Sequence, residues 1–176
     1  AINALLPWFG AKRTLAPEIV RQLGPHQIYW EPFCGAMAVL LAKAECSQET
    51  VNDLHGDLIH LARVIQDAKL GPALYRRLRR QLVCEQAYWD AAETMFLGPP
   101  EKDLSLDRAR NFFVASWLGR NGLQGTTKVG TSFCVRYTGN GGIQGTRFTS
   151  AVDSIPAWRR RMRQVTILRR NGLNLL

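Results

Sequence analysis

The segment that most constrains the fold is a short apolar strand followed at once by a glycine turn and a helix. Residues 27–30, Gln-Ile-Tyr-Trp, predict a buried strand, and Glu31-Pro32-Phe33-Cys34-Gly35 predicts the turn. An unbroken helical run follows over residues 36–43. This order places a helix N-terminus and free backbone N–H groups at the carboxyl end of a strand, where open α/β sheets bind nucleoside-like ligands. We therefore expect an α/β fold with a ligand site at the turn.

A second predicted strand ends in an acid and supports the same interpretation. Thr50-Val51-Asn52-Asp53 has the composition of a short strand, and Asp53 lies 18 residues after Gly35. About 20 residues is the spacing expected for a carboxylate that accepts hydrogen bonds from ribose hydroxyls. Gly35 is the one glycine present where a full dinucleotide fingerprint has three, so the prediction depends on Gly35 and Asp53 together.

Three segments carry a resemblance to a known family: LLPWFGAKRTLAPEI near the N-terminus, EPFCGAMAV at the turn, and VNDLHGDLIHLARVIQD from the second strand. In this order they resemble the Dam-type adenine-N6 DNA methyltransferase family, and the resemblance spans nearly the whole chain. It implies S-adenosylmethionine as the cofactor and double-stranded DNA as the partner. It also implies an α/β fold built on a Rossmann-like methyltransferase sheet, with an inserted helical and β-hairpin DNA-recognition domain. By the same resemblance the cofactor-binding residues are Trp8, Lys12, Phe33, Gly35 and Asp53.

The chain also departs from the family pattern. Met37 and Ala11 stand where the family has glycines, and the catalytic Asp-Pro-Pro-Tyr motif is absent. The pair Pro99-Pro100 is preceded by Gly98 instead of the acid and followed by Glu101 instead of the aromatic. We therefore leave the catalytic residues unassigned and expect the parent protein to be an enzyme but this chain alone to be inactive. Two explanations stay open: a truncated methyltransferase whose sheet is incomplete at the C-terminus, or a natural, catalytically inactive DNA-binding module of the same fold.

The charge of the chain favours a polyanionic partner. Lys and Arg number 23 against 14 Asp and Glu, which gives a formal net charge of +9. Arginines cluster at residues 76–80 and again at residues 159–163. Solvated helix faces are the alternative explanation for both clusters.

A glycine-rich stretch, residues 119–150, is the candidate DNA-reading segment. Residues 131–137 predict a strand and residues 138–142 its turn. By resemblance, Asn121-Gly122-Leu123 and the hairpin read the target sequence. The DNA-binding candidates are Arg120, Asn121, Lys128, Arg136 and Arg147. A flexible loop with incidental arginines is the alternative. A third hypothesis is an RNA or small-molecule methyltransferase. The glycine-rich basic segment argues against a small-molecule substrate, because the site for a small molecule needs no such surface.

Helical periodicity predicts the remaining elements. Helices are expected over residues 18–23, 54–68, 72–83, 85–96, 105–118 and 153–162, and a strand over residues 165–168. Ser105 is expected to cap one helix, and Asp153 or Ser154 another. The resulting division assigns residues 1–60 and 155–176 to a cofactor-binding α/β domain and residues 61–154 to a recognition insertion.

The remaining residue types exclude other classes of protein. The four cysteines, Cys34, Cys46, Cys84 and Cys134, lack paired ligand spacing, so we expect no zinc site and reduced thiols in a cytoplasmic protein. His55 and His60 are expected at the surface or in helix caps. Asn171 is expected either to line the cofactor pocket or to form a turn. No apolar run reaches the ~18 residues of a membrane span, and we expect a monomer.

Overall fold

The computed structural model describes residues 4–8, 10, 12–95, 103–119, 133–135 and 143–175. This part of the chain has a mixed α/β fold in which a three-stranded parallel sheet is combined with seven α-helices. The strands are β1 (Ile28–Glu31), β2 (Gln48–Asn52) and β3 (Thr166–Leu168), with β2 in the centre. The helices are α1 (Ala16–Leu23), α2 (Ala38–Ala42), α3 (Gly56–Gln66), α4 (Leu70–Arg79), α5 (Glu85–Thr94), α6 (Leu106–Leu118) and α7 (Gln144–Met162). A 3-10 helix follows at Gly172–Leu175.

The sheet confirms the two strands predicted around the glycine turn. In β1 the side chains alternate, so that Tyr29 and Glu31 are buried and Trp30 is exposed. Tyr29 pairs with Glu49 and Glu31 with Val51, which aligns the two strands in parallel. The carboxyl ends of β1 and β2 therefore lie side by side and bring their two loops to one edge of the sheet.

Helix α2 begins two residues later than predicted because the backbone of Met37 is left-handed. Met37 has φ +60° and ψ +31° at the N-cap position, a conformation that L-residues with a side chain rarely adopt. Its side chain is fully buried in the core and does not line the cleft described below. The buried thioether is therefore a core residue at a position whose backbone suits glycine.

This geometry predicts an unusual order of stability at position 37. Met37→Ala is expected to cost about 2–5 kcal/mol, because it opens a cavity and keeps the strained backbone. Met37→Gly opens a similar cavity but relieves strain of about 1 kcal/mol or more, so it should be no less stable than the alanine variant. Urea unfolding of the three proteins measures the order. A glycine variant clearly less stable than the alanine variant would contradict the strain at this residue.

Helix α7 corrects the largest error in the predicted elements. The helix was expected over residues 153–162, but it begins at Gln144, so Asp153 and Ser154 lie inside it and cap nothing. Phe148, Ala151 and Val152 recur at helical spacing and are buried. Burial of this face outweighs the weak helix propensity of the glycine and threonines at residues 145–149.

The helices between β2 and α7 follow the predicted order, and each is shorter than predicted, although α4 begins at Leu70, two residues before its predicted start. Ser105 caps α6 and accepts a hydrogen bond from the backbone N–H of Arg108 at 3.2 Å, as predicted. Of the two alternatives for His60, the surface one is wrong, because the side chain is 5% exposed and its Nε2 lies 3.0 Å from the carbonyl oxygen of Ser105, the N-cap residue of α6. Both α3 and α7 run across the proposed domain boundaries, and the division into domains stays a prediction.

The predicted hairpin falls mostly outside the described residues. Of that segment the structure describes Phe133, Cys134 and Val135, and Phe133 forms an antiparallel bridge with Gly119. Within the described ranges, no helix has the combined length and apolar character that crossing a bilayer requires.

Candidate functional site

An open cleft of about 190 Å³ lies at the carboxyl ends of β1 and β2. The five residues predicted for cofactor binding all line it: Trp8, Lys12, Phe33, Gly35 and Asp53. Gly10, Glu31, Cys34, Ala36 and Ala38 complete the lining. The structure thus brings together residues from three separate stretches of sequence at the expected edge of the sheet.

Asp53 fastens the glycine turn to the end of β2. Its Oδ2 accepts a hydrogen bond from the Gly35 backbone N–H and its Oδ1 accepts one from the His55 backbone N–H, both at 2.9 Å. The Gly35 N–H is therefore engaged within the chain, which corrects the expectation that it is free for a ligand. A carboxylate has about four acceptor positions, so Asp53 retains capacity for further donors in the cleft.

Gly35 also needs the small size and backbone freedom of glycine. Its φ of +48° lies in the left-handed region. A Cβ at this position would approach Cδ1 of Trp8 to 3.3 Å. Close contact between the turn and Trp8 therefore sets one wall of the cleft.

Lys12 and Glu31 form a charged pair at the base of the cleft. The Lys12 ammonium donates to the Phe33 carbonyl at 2.9 Å and lies 3.5 Å from Glu31 Oε1. Tyr29 donates its hydroxyl hydrogen to Glu31 Oε2 at 2.8 Å. Burial raises the pKa of Glu31, while the hydrogen bonds and charge of its two partners oppose that rise. Glu31 was missed as a site residue, although an acid at the end of an apolar strand was a usable signal.

A row of three aromatic rings supports the wall formed by Trp8. The His55 ring meets Trp8 edge-on, with ring centroids 4.9 Å apart, and stacks on Phe112 at 5.7 Å. His55 Nδ1 accepts a hydrogen bond from the Leu58 N–H at 3.3 Å, which confirms the capping role predicted for this residue. Burial lowers the pKa of His55 despite the charges of Asp57 and Asp53, which favours the neutral ring that accepts this bond.

The buried amide of Asn52 joins the loops that follow β1 and β3. Its Nδ2 donates to the carbonyl oxygens of Pro32 at 2.8 Å and Arg170 at 3.0 Å, and its Oδ1 accepts from the Arg170 N–H at 2.8 Å. Asn52 is 1% exposed and was not predicted as a positioning residue.

The segment after β3 supports the turn from the other side. A Cβ added at Gly172 would stand 2.6 Å from Cε1 of Phe33, so the absence of a side chain there lets the Phe33 ring lie against this segment. Asn171 forms a turn, in which its Oδ1 accepts from the Leu173 N–H at 3.1 Å, and it does not line the cleft. The turn alternative is therefore the correct one for this residue.

The structure places one of the five DNA-binding candidates. Arg147 lies in the first turn of α7, whereas Arg120, Asn121, Lys128 and Arg136 lie outside the described residues. The arginines at residues 76–80 are exposed on or beside α4. In the second cluster Arg161 is 7% exposed and forms an ion pair with Glu49, so it is not part of a basic surface.

In the described part of the chain, no group of three His, Cys, Asp or Glu side chains has a geometry that could hold a metal ion. Cys34, Cys46 and Cys84 are free thiols. Cys34 lies in the turn, where burial raises the pKa of its thiol.

Comparison with known proteins gives one family. The model of the D12 class N6 adenine-specific DNA methyltransferase family matches residues 8–137. The chain is also similar to the DNA adenine methylases of Escherichia coli strain K12 and Escherichia coli O157:H7, with 29% identity over 123 residues in each case. Those residues are 70% of this chain and 42% of each relative, so the match spans about two fifths of the relatives' length.

Proposed function

The chain belongs to the D12 class N6 adenine-specific DNA methyltransferase family, and from this premise we propose that it forms the cofactor-binding and DNA-contacting part of an adenine-N6 DNA methyltransferase. The observation that carries this proposal is the cleft itself. Trp8, Lys12, Phe33, Gly35 and Asp53 converge at the carboxyl edge of a parallel sheet, the place where sheets of this kind hold nucleoside-like ligands.

The lining of the cleft fits S-adenosylmethionine, which when bound supplies a methyl group carried on a sulfonium. Asp53 has unused acceptor positions suited to ribose hydroxyls. Glu31 and Asp53 together make the cleft favourable for a cationic ligand, and Lys12 offers an ammonium to a carboxylate. Trp8 and Phe33 supply aromatic surface for a purine ring, and Phe33 is 52% exposed.

The cleft is small for a complete cofactor site. Its volume of about 190 Å³ is below the ~300–1,000 Å³ of common small-molecule pockets. We infer that the described residues provide one side of the cofactor site. We also propose that the sheet is part of a Rossmann-like methyltransferase fold and that residues 61–154 form its DNA-recognition insertion.

The tasks of this chain's residues are binding, alignment and exclusion of water. Methyl transfer is a direct displacement, so alignment of donor and acceptor supplies much of the rate enhancement. An adenine amino group becomes accessible when its base leaves the duplex stack. The 176 residues contain no Asp-Pro-Pro-Tyr, so we assign no group to the acceptor side. We therefore expect cofactor and DNA binding by this chain, without methyl transfer by this chain alone.

Two titrations test the proposal. Isothermal titration calorimetry with S-adenosylhomocysteine should show saturable binding at one site, with weaker binding of adenosine as the control. In fluorescence anisotropy titrations with a labelled duplex, the affinity should fall as the salt concentration rises. The slope of log affinity against log salt concentration should be about −4.5 if five phosphates are contacted. DNA binding without cofactor binding would favour the inactive DNA-binding module, and absence of both would refute the proposal.

A further inference from the structure

A second cleft, of about 270 Å³, lies between the N-terminal segment and α7. Arg13 and Arg147 both line it, and Trp117 and Trp158 form part of its wall. Among the described residues no carboxylate lines this cleft. Two guanidinium groups thus share one cavity in which no carboxylate of the described residues offsets their charge.

The two arginines differ in their partners from two other arginines that the structure describes in buried or half-buried places. Arg108 and Arg161 are held by Asp57 and Glu49, whereas neither Arg13 nor Arg147 has a carboxylate partner within the described ranges. Burial lowers the pKa of Arg13, and the charge of Arg147 lowers it further. The two cations are therefore close enough to repel each other, which is unfavourable until an anion enters.

Neutral donors complete the lining. Thr146 and Ser150 contribute hydroxyl groups as donors, whereas the Ser154 hydroxyl already donates to the Ser150 carbonyl at 2.8 Å. Thr146 and Arg147 stand in the first turn of α7, a helix of 19 residues whose N-terminus carries partial positive charge. Two planar guanidinium groups beside hydroxyl donors match the oxygen geometry of a phosphate.

We propose that this cleft binds a phosphodiester group of the DNA backbone between Arg13 and Arg147. The assignment rests on the proposed function, and it names a backbone contact that does not read sequence. The two tryptophans exclude base stacking as the purpose of the cleft, because Trp117 is 8% and Trp158 is 1% exposed. A phosphate group needs no exposed ring face and fits the available donors.

The position of the cleft links it to the cofactor cleft. Lys12 lines the cofactor cleft and Arg13 lines the second cleft. Their Cα atoms are about 3.8 Å apart, as in any trans peptide. A duplex held by a phosphate at Arg13 therefore has its backbone beside the cofactor cleft, which is where a base displaced from the stack must arrive.

The test compares Arg13→Gln, Arg147→Gln and the double variant with Arg63→Gln in the 176-residue chain. Arg63 is an exposed arginine of α3 that lines neither cleft, so its variant is a control with the same change in charge as each single variant. Anisotropy titrations with a labelled duplex at several salt concentrations give the log–log slope. In the double variant the slope should be smaller in magnitude by about 0.9, the value for one phosphate contacted by both arginines. Two separate phosphate contacts would instead reduce it by about 1.8. The reduction should be equal for a duplex of altered sequence, and the control should keep the wild-type slope.

Thermal unfolding separates binding from folding. Because the two guanidinium groups repel each other, either single replacement should leave the unfolding midpoint unchanged or raise it while weakening DNA binding. A lowered midpoint together with weakened binding would assign the arginines a structural role and overturn the proposal.

The remaining outcomes distinguish this proposal from the proposed function. If the wild-type chain binds DNA with a salt-dependent slope that the double variant keeps, the cleft is not a DNA contact, while the proposed function stands. If the wild-type chain does not bind DNA, this proposal fails together with the DNA-contacting part of the proposed function, while cofactor binding is tested separately. A free phosphate ion is the other ligand that could fit this cleft, and inorganic phosphate is the probe for it. If it raises the unfolding midpoint of the wild type but not of the double variant, and the DNA slopes are equal, the cleft is a free-anion site and the DNA assignment is wrong.

Discussion

Replacement of Asp53 by alanine is expected to weaken binding of S-adenosylhomocysteine by roughly 10- to 150-fold, which corresponds to loss of a charge-assisted hydrogen bond of about 1.5–3 kcal/mol. The same change should also destabilise the chain. Asp53 holds the backbone N–H groups of Gly35 and His55 at 2.9 Å, and alanine leaves both without that acceptor. We expect a loss of stability of about 1–3 kcal/mol for each group that stays buried and unsatisfied.

Two further variants separate affinity from stability. Asp53→Asn keeps one carbonyl oxygen as an acceptor and should unfold at a higher denaturant concentration than the alanine variant. Asp57→Ala removes the same charge from the first turn of α3, where Asp57 pairs with Arg108 outside the cleft. It should lower stability and leave cofactor affinity unchanged. Calorimetry and urea unfolding measure the two quantities, and wild-type affinity in Asp53→Ala would remove this carboxylate from the site.

The elements around the cleft were predictable because local sequence determines them. The apolar run before Glu31, the glycine at residue 35 and the acid at residue 53 each act within a few residues. Their meeting at one edge follows from parallel pairing of β1 and β2. Local sequence therefore sufficed for the position of the cleft, and the family resemblance added the set of five among the ten residues that line it.

The contacts that hold the cleft were not predictable in the same way. Asn52 bonds to Arg170, which is 118 residues away, and such pairs appear only once the chain has folded. The left-handed backbone of Met37 was hidden because a methionine gives no local signal for positive φ. The early start of α7 was missed because its first two turns have weak helix propensity, and burial of Phe148 decides their structure.

Charge clusters in the sequence were the least informative feature. Residues 159–163 predicted a basic surface, yet Arg161 is buried because Glu49 lies 112 residues away in sequence and beside it in the fold. Conversely, Arg13 and Arg147 belong to neither arginine cluster of the sequence and meet in one cleft. The sign and number of charges indicate a class of partner, but only the fold shows which charges are free to contact it.

The second large effect is expected at the other end of the sheet, where Glu49 holds two buried cations. Its Oε1 lies 2.5 Å from Lys43 Nζ, and its Oε2 lies 2.5 Å from Arg161 Nη1. The side chains of all three residues are at most 6% exposed. Lys43 Nζ also lies 4.7 Å from the centroid of the Tyr29 ring. Both cations depend on one carboxylate, so its removal leaves two buried charges without a counter-charge.

Glu49→Ala should therefore cost about 3–5 kcal/mol of unfolding free energy, a large fraction of the ~5–15 kcal/mol that stabilises a typical domain. The matched control is Glu18→Ala, which removes an acid from the exposed pair with Arg21 and should change stability little. Urea unfolding measures both, and similar small losses in the two variants would contradict the buried network.

The pH dependence of the same network gives an independent measurement. Burial alone would raise the pKa of Glu49, but the hydrogen bonds and charges of Arg161 and Lys43 outweigh burial and lower it. A carboxyl whose pKa is lower in the folded state stabilises that state fully above its unfolded pKa, which is about 4.3. This stability is lost as the pH falls through the folded pKa. The difference in unfolding free energy between the wild type and Glu49→Gln should therefore be constant near neutral pH and shrink below about pH 4.3. A difference that stays constant down to pH 3 would show that the carboxylate charge at Glu49 contributes nothing to the fold.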